Sequence, residues 1–130
     1  MRIGVLAQMS DVSTKTLRFY EQAGLLPEPD RTSSGYRDYT DSALPRLRFI
    51  RSAQACGLTL AEIGQIITVR DDTGPPCGHV INLLDQHATD LDQRIADLTA
   101  LRAEVRRLRT RARTLDPLAC NADDVCNVIN

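Results

Sequence analysis

The chain has 130 residues, 42% hydrophobic and 25% charged, with 4% aromatic residues, no tryptophan and a net charge of −1. That length holds one domain, or one small domain with an extension. So few aromatic side chains argue against a large β-sandwich core and suit helices, and the near-zero charge excludes a globally basic nucleic-acid binder. No apolar run resembles a signal peptide or approaches the roughly 18–20 residues of a membrane span, so a cytoplasmic protein without membrane contact is expected. In that compartment the four cysteines are expected as thiols serving metal binding, redox chemistry or packing, rather than as disulfides.

Charge is uneven along the chain. Residues 1–57 hold eight Lys and Arg against six acids, and the stretch from Arg102 to Arg113 holds six Arg against one Glu. The segment "IGVLAQMSDVSTKTLRFYEQAGLL" predicts two short helices around a turn at Ser10, Asp11 and Val12. Ser13 suits the N-cap of the second helix, and Gly24 suits its C-terminal stop. The outer face of that helix is expected to show Thr14, Lys15, Arg18 and Tyr20, residue types that touch phosphates and base edges. "PEPDRTSSGYRDYT" then predicts a small hairpin or wing, with Arg31, Tyr36 and Arg37 directed outward. A third helix is expected from Thr40 or Asp41 to about Cys56, with Cys56 as a small buried hydrophobe. A fourth opens on the Thr59-x-x-Glu62 capping box. The expected division is a DNA-binding domain over 1–69, a linker over 70–77 ("RDDTGPP" and Cys77), a dimerisation helix over 78–116 and a terminal loop over 117–130.

The long helix carries a 3-4 seam of Leu84, His87, Leu91, Arg94, Leu98, Leu101, Val105, Leu108, Ala112 and Leu115, imperfect at His87 and Arg94. His87 is expected to set register or to pack at the coil edge. Nothing in the same chain can cover this stripe, so a homodimer is inferred. The sequence has no Gly-rich phosphate loop, no apolar pair of carboxylates and no Cys-x-x-Cys, so an enzyme is not expected.

"TLRFYEQAGLL", the following "R…GYR.Y" pattern and "LRFIRSAQACGLTLAEIGQII" resemble the MerR family of transcription regulators, and the resemblance extends into the long helix. It implies a mainly α fold: a winged helix-turn-helix DNA-binding domain plus a long antiparallel coiled-coil dimerisation helix. It also implies a dimer on double-stranded promoter DNA, with RNA polymerase as the further partner, that distorts the DNA when its effector binds. The residues placed at DNA by the resemblance are Thr14, Lys15, Arg18 and Tyr20 of the second helix and Tyr36 and Arg37 of the wing.

Cys77 sits immediately before the long helix, and Cys120 and Cys126 follow it. At ~1.5 Å per residue the intervening helix is roughly 55–60 Å long, so these thiols are remote within one chain. In the implied antiparallel pair, Cys77 of one chain meets Cys120 and Cys126 of the other. Thiolates select soft or borderline ions. In the family, Cys at the position of Cys77 marks sensors of divalent ions, so the expected effector is zinc, cadmium, lead or mercury. Three thiolates leave a net charge of about −1 around a divalent ion and about −2 around a monovalent one, which is harder to bury. His79 is the candidate fourth ligand. The expected function is a metal-responsive transcriptional regulator. The alternatives are a thiol redox-sensing regulator and a metal-buffering protein without gene control.

Overall fold

The computed structural model describes residues 1–119 and 123–129, so the expectation for Cys120 lies outside the described residues. The chain forms two compact units, Met1–His87 and Ala88–Asn130. As expected, it is mainly α, with a winged helix-turn-helix followed by one long helix. No helix among the described residues is long and apolar enough to cross a membrane.

Helices α1 (Ile3–Ser10) and α2 (Thr14–Gln22) make the helical pair. Asp11 takes a left-handed conformation at φ 55°, and the Val12 N–H returns to the Ala7 carbonyl at 3.2 Å. Asp tolerates that region because its short side chain bonds locally. Ser13 starts α2, its Oγ accepting the Thr16 N–H at 3.1 Å. Past α2, Gly24 at φ 77° lets the Leu25 N–H reach the Tyr20 carbonyl at 2.9 Å. The chain thereby turns Leu25 and Leu26 into the core.

The wing is a two-stranded antiparallel ribbon, β1 (Asp30–Arg31) and β2 (Arg37–Asp38), with Asp30 opposite Asp38 and Arg31 opposite Arg37. Its tip is closed by the Thr32 N–H to the Tyr36 carbonyl at 2.8 Å. Helices α3 (Ala43–Ala55) and α4 (Leu60–Thr73) complete the unit. Thr59 and Glu62 form the expected capping box: Thr59 Oγ1 accepts the Glu62 N–H at 3.1 Å, and Glu62 Oε1 accepts the Thr59 N–H at 3.0 Å. Leu6, Leu17, Leu47, Ile50 and Ile63 are fully buried where α1 to α4 meet. Each such side chain contributes about 1.5–3 kcal/mol of burial free energy.

The linker is shorter than the sequence suggests. Helix α4 continues through Arg70–Thr73, and only Gly74, Pro75 and Pro76 separate it from α5 (Cys77–Thr114). The polar run is held in helix partly by Arg46 of α3, whose Nη2 donates to Asp71 Oδ1 at 2.8 Å. Gly74 and Pro75 then end the helix, since a residue before proline is pushed out of the α region. Pro76 already belongs to the start of α5, because its carbonyl accepts the Val80 N–H at 2.9 Å.

The first turns of α5 are part of the Met1–His87 unit, with Leu83 buried in its core. His87, expected on the coil seam, instead points its Nε2 at the Glu62 carboxylate. Beyond it the apolar stripe is open: Leu91 is 51% exposed, Leu98 64%, Leu101 59% and Val105 55%. A stripe of that exposure fits a coiled-coil dimerisation helix. A 3-10 turn, Pro117–Ala119, follows.

Candidate DNA-reading face and metal centre

Helix α2 presents Lys15 and Arg18 to solvent, with Thr14 half-buried beside its N-terminus. Tyr20 is a correction to the expected outer face. It is 5% exposed, and its hydroxyl donates to Gln54 Oε1 of α3 at 3.2 Å. The cause is helical spacing: Tyr20 lies three residues after the buried Leu17, on the same face. Phe19, 50% exposed, takes the outward position instead.

On the wing, Tyr36 is exposed, and the guanidinium of Arg2 lies 4.6 Å from its ring centroid. Arg2 was not singled out by sequence. Its approach to Tyr36 across the fold leaves no local pattern, although an N-terminal Arg before a helix is a weak signal. Arg37 departs from the expected outward direction. Its Nε donates to Glu21 Oε2 at 3.2 Å, and the Tyr39 hydroxyl donates to the same oxygen at 2.9 Å. Burial, then the neighbouring Glu21 carboxylate, pushes the Tyr39 hydroxyl up to about 12. This cluster ties the wing to α2. Arg51, on α3, donates to the Ser10 carbonyl at 3.0 Å and so caps the C-terminal end of α1.

Of the expected metal ligands, Cys77 is exposed as the first residue of α5, and Cys126 is half-buried. Backbone N–H groups of Ile129, then Val128, donate to the Cys126 sulfur and hold its thiol below the usual cysteine range. Such donors favour the thiolate, the form that binds metal. In the Ala88–Asn130 unit, Arg111 Nη2 donates to the Asn127 carbonyl at 3.1 Å, and Asn127 Nδ2 donates to the Ala119 carbonyl at 3.4 Å. These bonds tie Asn127 to the end of α5 and to the 3-10 turn.

His79 turns inward within the Met1–His87 unit. Its Nε2 is buried with no hydrogen-bond partner among the described residues. The ring borders a cavity of about 740 Å³ with Phe19, Leu25, Leu60 and Gly64. No three His, Cys, Asp or Glu side chains converge on one point among the described residues. Cys56, expected to be buried, is exposed, because it sits at the C-cap of α3 beyond the core-facing Ala53. Cys77 and Cys126 are free thiols, and thiolates are a ligand type that selects soft or borderline ions.

Residues 1–69 match the family model described as MerR HTH family regulatory protein, and residues 44–108 match the one described as MerR, DNA binding. The mercuric resistance operon regulatory protein of Bacillus cereus is 45% identical over 76 residues, which are 58% of this chain and 58% of that protein. Its counterpart from Serratia marcescens is 37% identical over 91 residues, 70% of this chain and 62% of that protein. These matches therefore cover less than two thirds of the relatives' own lengths. Among solved structures, the transcription regulator PbrR691 from Ralstonia metallidurans CH34 in complex with lead(II) is 39% identical with a TM-score of 0.77, covering 98% of this chain and 95% of that one.

Proposed function

The chain belongs to the MerR family of helix-turn-helix regulatory proteins, and from that premise we propose that it is a metal-responsive transcriptional regulator. It binds double-stranded promoter DNA as a homodimer. A soft divalent ion is its effector, and the bound ion makes it distort the promoter so that RNA polymerase can use it. Regulators of this family bind DNA and are not enzymes.

One observation carries the reading. Two free thiols, Cys77 and Cys126, are separated in sequence by the whole of a helix whose apolar stripe lacks a cover. An antiparallel pair of such helices closes the stripe and brings Cys77 of one copy toward Cys126 of the other. Cys120 then supplies the third thiolate. His79 is the candidate fourth donor, with a ring nitrogen that has no partner among the described residues. The ion supplies the charge that draws three thiolates together, and this chain's residues decide where they converge. The lead-bound neighbour and the mercuric regulators support a soft divalent ion.

On the DNA side the reading uses Lys15, Arg18 and Thr14 of α2 with Tyr36 of the wing, while Arg37 braces the wing on α2 through Glu21. Phosphate contacts from such side chains set position, and base contacts set sequence. Residues 1–69 read DNA, 78–116 pair two copies, and 117–130 close on the metal.

Transcription in vitro across zinc, cadmium, lead and mercury, with wild type and Cys77→Ser, tests this. The variant is expected to lose the divalent response while retaining promoter binding. An unchanged response removes Cys77 from the ligand set. The depressed Cys126 thiol also favours a redox reading on the same residues. Counting free thiols before and after metal, under reducing conditions, separates the two.

A further inference from the structure

The charges of α5 are segregated along its length. Asp85, Asp90, Asp92 and Asp97 face Arg94 alone in the first part of the helix. Arg102, Arg106, Arg107, Arg109, Arg111 and Arg113 face Glu104 alone in the second. All of these side chains are exposed. We propose that this segregation fixes the direction in which two copies of the chain pair, seating the basic stretch 102–113 of one copy against the acidic stretch 85–97 of the other. The inference rests on the reading of α5 as a dimerisation helix, and it names what makes that pairing head to tail.

Two simpler causes of the pattern fail. The helix dipole favours acids in the first turn and bases in the last, and its influence fades within a turn. Helix α5 has no acid in its first turn, and only Arg111 and Arg113 lie in its last. Pairing within the helix accounts for little more. Glu104 with Arg107, at 2.6 Å, is its one ion pair among the described residues. Arg102, Arg106, Arg109 and Arg113 have no acidic partner there, and neither Asp90 nor Asp92 has a basic one.

The apolar stripe between these charges has a cover of known length and chemistry, a second α5. Packed helices lie about 8–10 Å apart. That is close to the screening length of roughly 8 Å at physiological salt, so the charges that flank the seam, Asp90, Asp97, Arg102, Arg109 and Arg111 with Glu104, feel the partner most, and the remaining charges of each stretch add a weaker field. Aligned in the same direction, two copies would set six arginines against six and four aspartates against four. Reversed, each acidic stretch meets a basic one twice over in the symmetric pair. Like charges at such flanking positions disfavour pairing, and opposite ones select partner and orientation. Direction matters for function, since only the reversed pair brings Cys77 to the end of the chain that carries Cys126.

A charge-reversed chain tests the proposal: Asp90→Lys, Asp92→Lys and Asp97→Lys together with Arg102→Glu, Arg106→Glu and Arg109→Glu. It keeps the apolar stripe and all four cysteines. Wild type and variant are mixed without metal or DNA, allowed to exchange subunits, and measured by native mass spectrometry. Each is expected to pair with itself, with mixed dimers at least about tenfold below their random share at low salt and recovering near 0.5 M salt. Mixed dimers at the random share would show that charge does not select direction, and an excess of mixed dimers would show same-direction pairing. Either result overturns the proposal. If the variant does not fold, the wild-type dimer decides alone: its dissociation constant should rise about tenfold between roughly 0.05 and 0.5 M salt, and a constant value overturns the proposal. None of these readouts uses metal or promoter, so loss of metal sensing leaves this inference standing, whereas a monomer at every concentration removes the dimer reading beneath it.

Discussion

His87 Nε2 lies 2.9 Å from Oε1 and 3.1 Å from Oε2 of Glu62, so a residue of the long helix closes on the carboxylate that caps α4. One carboxyl group therefore serves two elements: it accepts the Thr59 N–H and holds the His87 ring. The Thr59 N–H, then the His87 ring, keep the Glu62 carboxyl below its usual range. A depressed carboxyl stabilises the fold above its unfolded value of about 4.3, and that contribution is lost as pH falls through the lower folded value. Glu62→Gln should flatten the stability curve in this acid window. Glu62→Ala should lower the melting temperature more than His87→Ala, because it removes the cap as well as the ring contact. Equal melting temperatures for the two variants would remove the shared role.

Lys15→Ala and Arg18→Ala should each weaken promoter binding and shallow its salt dependence by about one unit of slope for each phosphate no longer neutralised. Tyr20→Phe should leave DNA affinity close to wild type and instead cost about 0.5–1.5 kcal/mol of stability, the usual net worth of the hydroxyl hydrogen bond it removes. Fluorescence anisotropy on promoter DNA alongside urea unfolding measures both. A large affinity loss in Tyr20→Phe at unchanged stability would restore Tyr20 to the DNA face.

Tyr39 should ionise at about 12 in an alkaline absorbance titration. Its folded value is raised, so the stability it lends is fully present below the unfolded value of about 10 and drains away as pH climbs toward the folded one. Tyr39→Phe should abolish this late step and loosen the wing, seen as faster amide exchange near Arg31 and Arg37.

Leu98→Glu should yield monomers by sedimentation at concentrations where the native chain is dimeric. Leu98 is 64% exposed within one chain, so the folded Met1–His87 unit should keep its helical signal. On the proposal that each site draws thiolates from two chains, metal affinity should fall at least about tenfold in the variant. Undiminished affinity in a proven monomer would show that a single chain supplies the ligands.

The parts of this fold legible in sequence were the local ones. Ser13, Gly24, Thr59 and Glu62 act through neighbours within a few residues, so caps and stops can be read off the string. Tyr20 was misplaced because tyrosine has both an apolar body and a polar tip. Only its spacing from Leu17 reveals which end governs. The helical state of Arg70–Thr73 is aided by Asp71 meeting Arg46, 25 positions earlier, and no local pattern encodes that meeting. The thiol pattern around Cys126 was visible, but the amides of Val128 and Ile129 that favour its thiolate come from how the turn closes.

The joint of Gly74, Pro75 and Pro76 constrains how force passes between α4 and α5. Both proline rings lock φ near −65°, and Gly74 holds φ 106° and ψ −147°, a region open almost solely to glycine. Two of the six backbone dihedrals of the joint are thereby fixed, which narrows the ways it can turn. On one side Asp71, anchored to Arg46, resists being dragged along; on the other Cys77 is already helical. A side chain substituted at Gly74 would strain this joint through its backbone alone, since no neighbour lies within reach of its Cβ, while leaving both helices whole.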